Sequence, residues 1–325
     1  WQDVLADGVS VGAPPDAFNS QGQDWGSPPL IPWRLRNADY EPFIQSIRAT
    51  IAGAGGLRID HVMGLFRLWW VPRDGSAADG AYVRYPAEDL LDIVALESHR
   101  AQALVVGEDL GTVEDGVREA MAEHGVLSYR LLWFEEDEPA TWPAEAMAAI
   151  TTHDLPTVAG LVGGADLEEQ QEHGTGTEEE LASGRASLLG QLPGLAEDAT
   201  PEQAVERAHE LLAQAPALLL SATLDDAVGA PRRPNMPGTV DRPNWSIPLP
   251  VLVEDLPEAQ PLHRRRLVER VDDRPQLLDG VAGYAGELGH TYVGGVEQCH
   301  CGSIGCLETE VTQAPLARLL ADLDG

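Results

Sequence analysis

Apolar residues in this chain fall in two rhythms, helical spacing and short unbroken runs, and the two alternate. Between Glu41 and Gly53, Phe43, Ile44, Ile47 and Ile51 lie on one side of a predicted helix, which Gly55-Gly56 stops. Leu57 to Asp60 then reads as a strand. Residues 86–103 return to helical spacing, with Leu90, Leu91, Ile93, Val94 and Leu96 as apolar positions, and Leu104 to Gly107 is the next strand. Val113 to His124 is helical, and Leu127-Ser128-Tyr129-Arg130-Leu131-Leu132-Trp133 is extended. Strands alternating with helices imply a mainly parallel sheet with crossover helices, so the expected fold class is α/β.

The rest of the chain is less regular. Residues 1–40 are loop-rich: Gly12-Ala13-Pro14-Pro15-Asp16 and Gly22 to Pro29 argue against a regular helix there. Over about 165–230, Glu-rich segments alternate with Ala- and Leu-rich ones, ending at Ala215 to Leu224, and predict a helical insertion with an acidic solvent face. Residues 231–250 are rich in Pro and Asn. Residues 255–275, with Arg264-Arg265-Arg266, read as a terminal helix and a linker. From Pro275 the composition turns Gly-rich and holds the cysteines. Two domains are therefore expected, 1–272 and 275–325. Trp1 is an abrupt beginning, as if the chain were cut from something longer.

Charge narrows the choice of partner. The 325 residues carry a formal net charge of -32, and all 21 basic residues are arginine. Such acidity argues against nucleic acid, whose phosphates need a cationic surface, and against anionic membranes. It is compatible with a neutral polysaccharide. No apolar run approaches the length of a membrane span. The cysteines, Cys299, Cys301 and Cys306, are three in number and lie within eight residues, which is not a disulfide framework. A cytoplasmic setting is the expectation.

Three acidic islands carry the candidate chemistry: Arg58-Ile59-Asp60-His61, Gly107-Glu108-Asp109-Leu110-Gly111 and Thr152-His153-Asp154. Each follows an apolar stretch, as a strand does when it delivers a carboxylate at its C-terminal end. Two carboxylates flanking a sugar are the minimal machinery for breaking a glycosidic bond, and a third can hold the ring. The nucleophile must stay ionised, and the guanidinium of Arg58, two residues from Asp60, favours that. The acid must hold its proton until it acts, and the apolar Val105-Val106-Gly107 run before Glu108 suits it. Taken singly, each island also fits an ordinary helix cap or ion pair.

In combination the motifs resemble the 4-α-glucanotransferases of the amylomaltase (disproportionating enzyme) family, over roughly residues 1–270. Gly12 to Phe18 with Gly22-Gln23-Asp24-Trp25-Gly26 is similar to that family's long active-site loop. The three islands are similar to its nucleophile, acid/base and third-carboxylate segments. Asn235-Met236-Pro237-Gly238-Thr239 with Asn244-Trp245 resembles its closing motif. The resemblance implies that Asp60 is the nucleophile, Glu108 the acid/base and Asp154 the transition-state stabiliser. It implies substrate contacts from Arg58, His61, His153, Trp25 and Asp16, a maltooligosaccharide substrate and no cofactor. Transfer rather than hydrolysis requires an acceptor sugar to arrive before water, and Trp25, Phe18, Trp69 and Trp70 are candidates to shield the site, although Trp69-Trp70 fits ordinary core better. A complete (β/α)8 barrel typically takes about 250 residues. The family reaches its long loop only after earlier strands, so a partial TIM barrel is expected. A plain glycosidase and an inactive remnant are the neighbouring readings.

The tail differs. Gly283 to His290 and Cys299-His300-Cys301-Gly302-Ser303-Ile304-Gly305-Cys306 put one histidine and three thiols in reach of a tetrahedral zinc, a knuckle-like arrangement, with His300 as an alternative ligand. These segments resemble the ROK family of sugar kinases and repressors. That resemblance implies a sugar site near Glu287 and His290, and zinc on His290, Cys299, Cys301 and Cys306. A zinc-containing sugar kinase or sugar-binding module is therefore the rival reading of the chain, and three reduced core cysteines the plainer reading of the tail; no Gly-rich phosphate loop precedes these segments, which weighs against a kinase.

Overall fold

The computed structural model describes residues 2–15, 21–196, 198–239, 241–252 and 255. The chain forms two compact units, one ending at Tyr129 and the other beginning at Arg130.

The first unit holds two sheets. β1 (Val9–Ala13), β2 (Gln23–Asp24), β4 (Arg67–Pro72) and β5 (Ala81–Arg84) are antiparallel in the order β2-β1-β4-β5. β3 (Gly56–Ile59), β6 (Leu104–Gly107) and β7 (Val126–Leu131) run parallel, with Ile59 level with Gly107 and Val106 level with Leu127. Parallel neighbours need a crossover, supplied by α3 (Ala87–Ala101) and by α4 (Val117–Glu123). Together with α2 (Glu41–Ile51), these helices line a core of Ile47, Ile51, Leu90, Leu91, Val94, Val105, Val117, Met121 and Val126. The positions that set the helical rhythm in the sequence are largely the ones that pack here. α1 (Pro32–Asn37) is a short helix in a stretch expected to have none. Pro32 opens it, because proline's fixed φ suits the first helical position. α4 begins later than Val113, since Gly116 takes φ 87° and the helix starts beyond it.

The second unit pairs β8 (Ala146–Ala149) in parallel with β9 (Leu219–Ser221), Ala148 level with Leu220. Its helices are α5 (Val158–Gly163), α6 (Ala165–Glu172), α7 (Glu178–Gly190), α8 (Pro201–Leu212) and α9 (Leu224–Ala227). α8 buries Ala204, Val205, Ala208, Leu211 and Leu212 against Trp133, Trp142, Ala148 and Ile150. That spacing is the apolar stripe of an amphipathic helix. The stretch from Ala215 to Leu224 was expected to be helical, and only its last residue, Leu224, enters a helix. Pro216 cannot continue α8, and Leu219 to Ser221 joins the sheet instead. α5 lies directly on the chain that follows Ala230. A Cβ on Gly160 would sit 2.3 Å from the Pro231 carbonyl oxygen, so only glycine fits there. Thr157 Oγ1 donates to Ala230 O at 2.7 Å, and Val158 N donates to Asp226 Oδ1 at 2.8 Å.

Candidate active site

In the first unit, β3 ends at Ile59 and hands the chain to Asp60, whose side chain is 75% exposed and ion-paired with Arg58 Nη1 at 2.7 Å. Arg58 in turn lies over the Tyr129 ring, 5.4 Å from its centre. The next residue, His61, adopts φ 45°, a left-handed conformation that costs a non-glycine residue about 1–2 kcal/mol. Its neighbours hold it there. His61 N donates to Glu108 Oε2 at 2.8 Å, Val62 N donates to Glu108 O at 2.9 Å, and Glu108 N donates to Ile59 O at 2.9 Å. The C-terminal ends of two parallel strands are thus stitched together at the two carboxylates.

Glu108 is 8% exposed, and its second oxygen accepts from Leu110 N at 2.8 Å. Burial lifts its carboxyl above the ordinary glutamate value. The two main-chain donors and the Arg58 charge pull it down, and the Asp60 charge adds to the rise. This is the setting a general acid requires. Burial holds the His61 imidazole below its ordinary value, against the pull of Asp60 and with the help of Arg67. A neutral ring can both donate to and accept from sugar hydroxyls. Trp25 meets it edge-on, centroids 5.2 Å apart, and is fixed by its own Nε1 donating to Gln23 Oε1 at 2.8 Å. The loop tryptophan therefore stands beside the residue that follows Asp60. Trp69 is tied into β4, its Nε1 donating to Ala77 O at 2.8 Å and its ring edge-on to Tyr82 at 4.8 Å.

Asp109 had no assigned role in the sequence and is fully buried. Its carboxylate accepts from Arg118 Nε, Ser128 Oγ and Tyr129 N, each at 2.7 Å, and so locks the end of β6 to β7 beside Glu108. Gly107 is tightly packed: a Cβ would lie 2.7 Å from Met121 Cε and 2.8 Å from Val62 Cγ2, so these side chains would have to shift to admit one.

In the second unit, Asp154 follows β8 by way of Ile150 to His153. Its Oδ1 lies 3.4 Å from His153 Nε2 and accepts from Asn235 Nδ2 at 2.6 Å. Burial opposes its charge, but the hydrogen bonds from His153 and Asn235 and the Arg233 charge outweigh it and hold the carboxyl below the usual aspartate value. Asn235 N also donates to His153 O at 3.0 Å, and the His153 ring packs on Trp245 at 4.7 Å. The segment 233–245 thus grips the Thr-His-Asp island. The sequence marked that segment as a motif but did not reveal what it holds.

Asp16, Glu287, His290, Cys299, His300, Cys301 and Cys306 lie outside the described residues. Among the described residues, no cluster of three or more His, Cys, Asp or Glu side chains is arranged to hold a metal ion, and no helix is long and apolar enough to cross a membrane.

A family model described as 4-alpha-glucanotransferase matches residues 1–253, and a model of the ROK family matches residues 274–322. The curated 4-alpha-glucanotransferase of Mycobacterium tuberculosis is 45% identical over 283 residues, 78% of this chain and 39% of that protein. The Haemophilus influenzae 4-alpha-glucanotransferase is 45% identical over 171 residues, 51% of this chain and 24% of that one. Among solved structures, amylomaltase from Corynebacterium glutamicum superposes with a TM-score of 0.76 at 37% identity, covering 83% of this chain and 43% of its own. Amylomaltase from Streptococcus agalactiae, solved with acarbose, gives 0.64 at 20% identity over 83% of this chain and 53% of its own, a likeness of fold alone. The chain belongs to the 4-alpha-glucanotransferase family and spans well under half the length of these curated relatives.

Proposed function

We propose that the chain carries the catalytic segments of a 4-alpha-glucanotransferase that moves α-1,4-glucan segments between maltodextrins, or to glucose, by a retaining double displacement. In this reading Asp60 attacks the anomeric carbon, forming a glycosyl-enzyme ester as the C–O bond to the leaving glucan breaks. Glu108 protonates the departing oxygen, then takes a proton from the acceptor hydroxyl that displaces Asp60. Asp154, held ionised, stabilises the positive charge that develops on the ring. Arg58, His61, His153, Trp25 and Asp16 are the proposed substrate contacts. The observation that carries the reading is the pairing at the β3 and β6 ends: an exposed carboxylate beside a guanidinium, and a buried carboxyl within hydrogen-bonding reach of the very next residue. That asymmetry separates a nucleophile from an acid.

Incubation with maltotriose is expected to yield glucose and longer maltodextrins. Products no longer than maltotriose, formed with water as the sole acceptor, would make the chain a glycosidase instead.

Glucan transfer in this family needs no cofactor. The zinc reading of His290, Cys299, Cys301 and Cys306, with Glu287 beside a sugar, concerns the C-terminal segment and is supported by the ROK match. One equivalent of zinc in the purified chain is expected, and a metal-free, well-folded preparation counts against it. Clustered thiols suit a reducing compartment, so the reading includes a cytoplasmic setting.

A further inference from the structure

We infer that Arg233 is a positioning residue for the Thr152-His153-Asp154 island, anchored by Asp166 and acting through the Asp154 main chain. Its guanidinium makes a fork on the Asp166 carboxylate, Nε to Oδ1 and Nη2 to Oδ2, both at 2.7 Å. The third nitrogen, Nη1, donates to Asp154 O at 2.8 Å. Arg233 is 6% exposed and Asp166 3%. A planar fork buried with its partner has one orientation, so it fixes the carbonyl it touches.

A second arginine repeats the device one helical turn along. Arg242 Nη2 pairs with Glu169 Oε2 at 3.0 Å and donates to Arg233 O at 2.5 Å, while its Nη1 donates to Asn244 Oδ1 at 2.7 Å. Arg232 also pairs with Glu169. Asp166 and Glu169 stand three residues apart on α6, on one face of the helix. The helix therefore presents two buried carboxylates that hold the segment on which Asn235, the donor to Asp154 Oδ1, is mounted. Removal of one partner leaves a buried charge unpaired, and the cost falls on the segment that grips Asp154.

The inference rests on the transfer reading, and the test separates the two. Arg233→Lys in the full chain keeps a positive charge and loses the fork. Transfer from maltotriose is expected to lose about 10²-fold in kcat, the scale of a 1 Å misplacement, with KM little changed. Asp166→Asn should give the same signature, and the double variant should be little worse than either, since both break one linkage. A purely structural role would lower the melting temperature and leave kcat per folded molecule unchanged, which overturns the inference.

The Asp154 carboxyl, followed by carbon-13 NMR and assigned with Asp154→Asn, reads the placement of the island without turnover. Its titration should move to higher pH in Arg233→Lys, as loss of the fork shifts the island away from the His153 and Asn235 hydrogen bonds that hold the carboxyl down, and an unmoved titration overturns the inference. An inactive parent chain sinks the transfer reading alone, and the NMR result then decides this one. Should Arg233→Lys fail to fold, Asp166→Asn carries the kinetic test.

Discussion

Asp60→Asn is expected to abolish glucan transfer, with a loss on the order of 10⁴-fold or more in kcat, because a neutral amide cannot form the glycosyl-enzyme ester. The fold should be indifferent to the change. The Asp60 side chain is three-quarters exposed, and its partner Arg58 also rests over Tyr129. Exposed ion pairs contribute about 0–1 kcal/mol, so the melting temperature should move little. This combination, full stability with no turnover, distinguishes a nucleophile from a structural aspartate. The measurement is release of glucose from maltotriose alongside thermal unfolding. A well-folded Asp60→Asn protein that keeps ordinary transfer would remove Asp60 from the role.

Glu108→Gln should slow transfer from maltotriose by about 10²- to 10⁴-fold, the usual share of general acid-base catalysis. The pH profile gives the sharper test. In the proposed mechanism Glu108 must carry its proton to act on the leaving glucan, and burial lifts its carboxyl above the ordinary glutamate value. Activity should therefore persist above that ordinary value and fall as pH rises through the lifted one. In the glutamine variant this alkaline limb should vanish. An aryl glycoside, whose leaving group needs no proton, should still form the glycosyl-enzyme. Equal losses on both substrates, with the limb intact, would assign the proton to another group.

The sequence was most legible where packing is local. α2 and α3 follow the stripes that Ile47, Ile51, Leu90, Leu91 and Val94 make along the chain, and β6 falls on the apolar run that announced it. Glycine and proline did not decide the first forty residues: β1 lies there and is held by β4, with Ser10 level with Val71. β9 was hidden for a similar reason, since Leu218-Leu219-Leu220 has no period of its own and takes its strand form from β8. Within the site, the carboxylates at the ends of β3 and β6 were visible because each is one step beyond a strand. Their supports were less so. Arg233 meets Asp166 across 67 residues, and Asn235 meets Asp154 across 81. Side-chain pairs so far apart leave no rhythm to read. The likeness to a known family named the segment holding Asn235 without saying what it does.

The bond from His61 N to Glu108 Oε2 comes from the main chain and not from a side chain. Nineteen of the twenty amino acids would supply the same donor, and only proline would withdraw it. Residue 61 can therefore change without loss of that bond, provided its replacement tolerates the left-handed bend, as asparagine and glycine do. Substitution at this position therefore probes the proposed substrate contact of the His61 ring while the Glu108 carboxyl stays anchored.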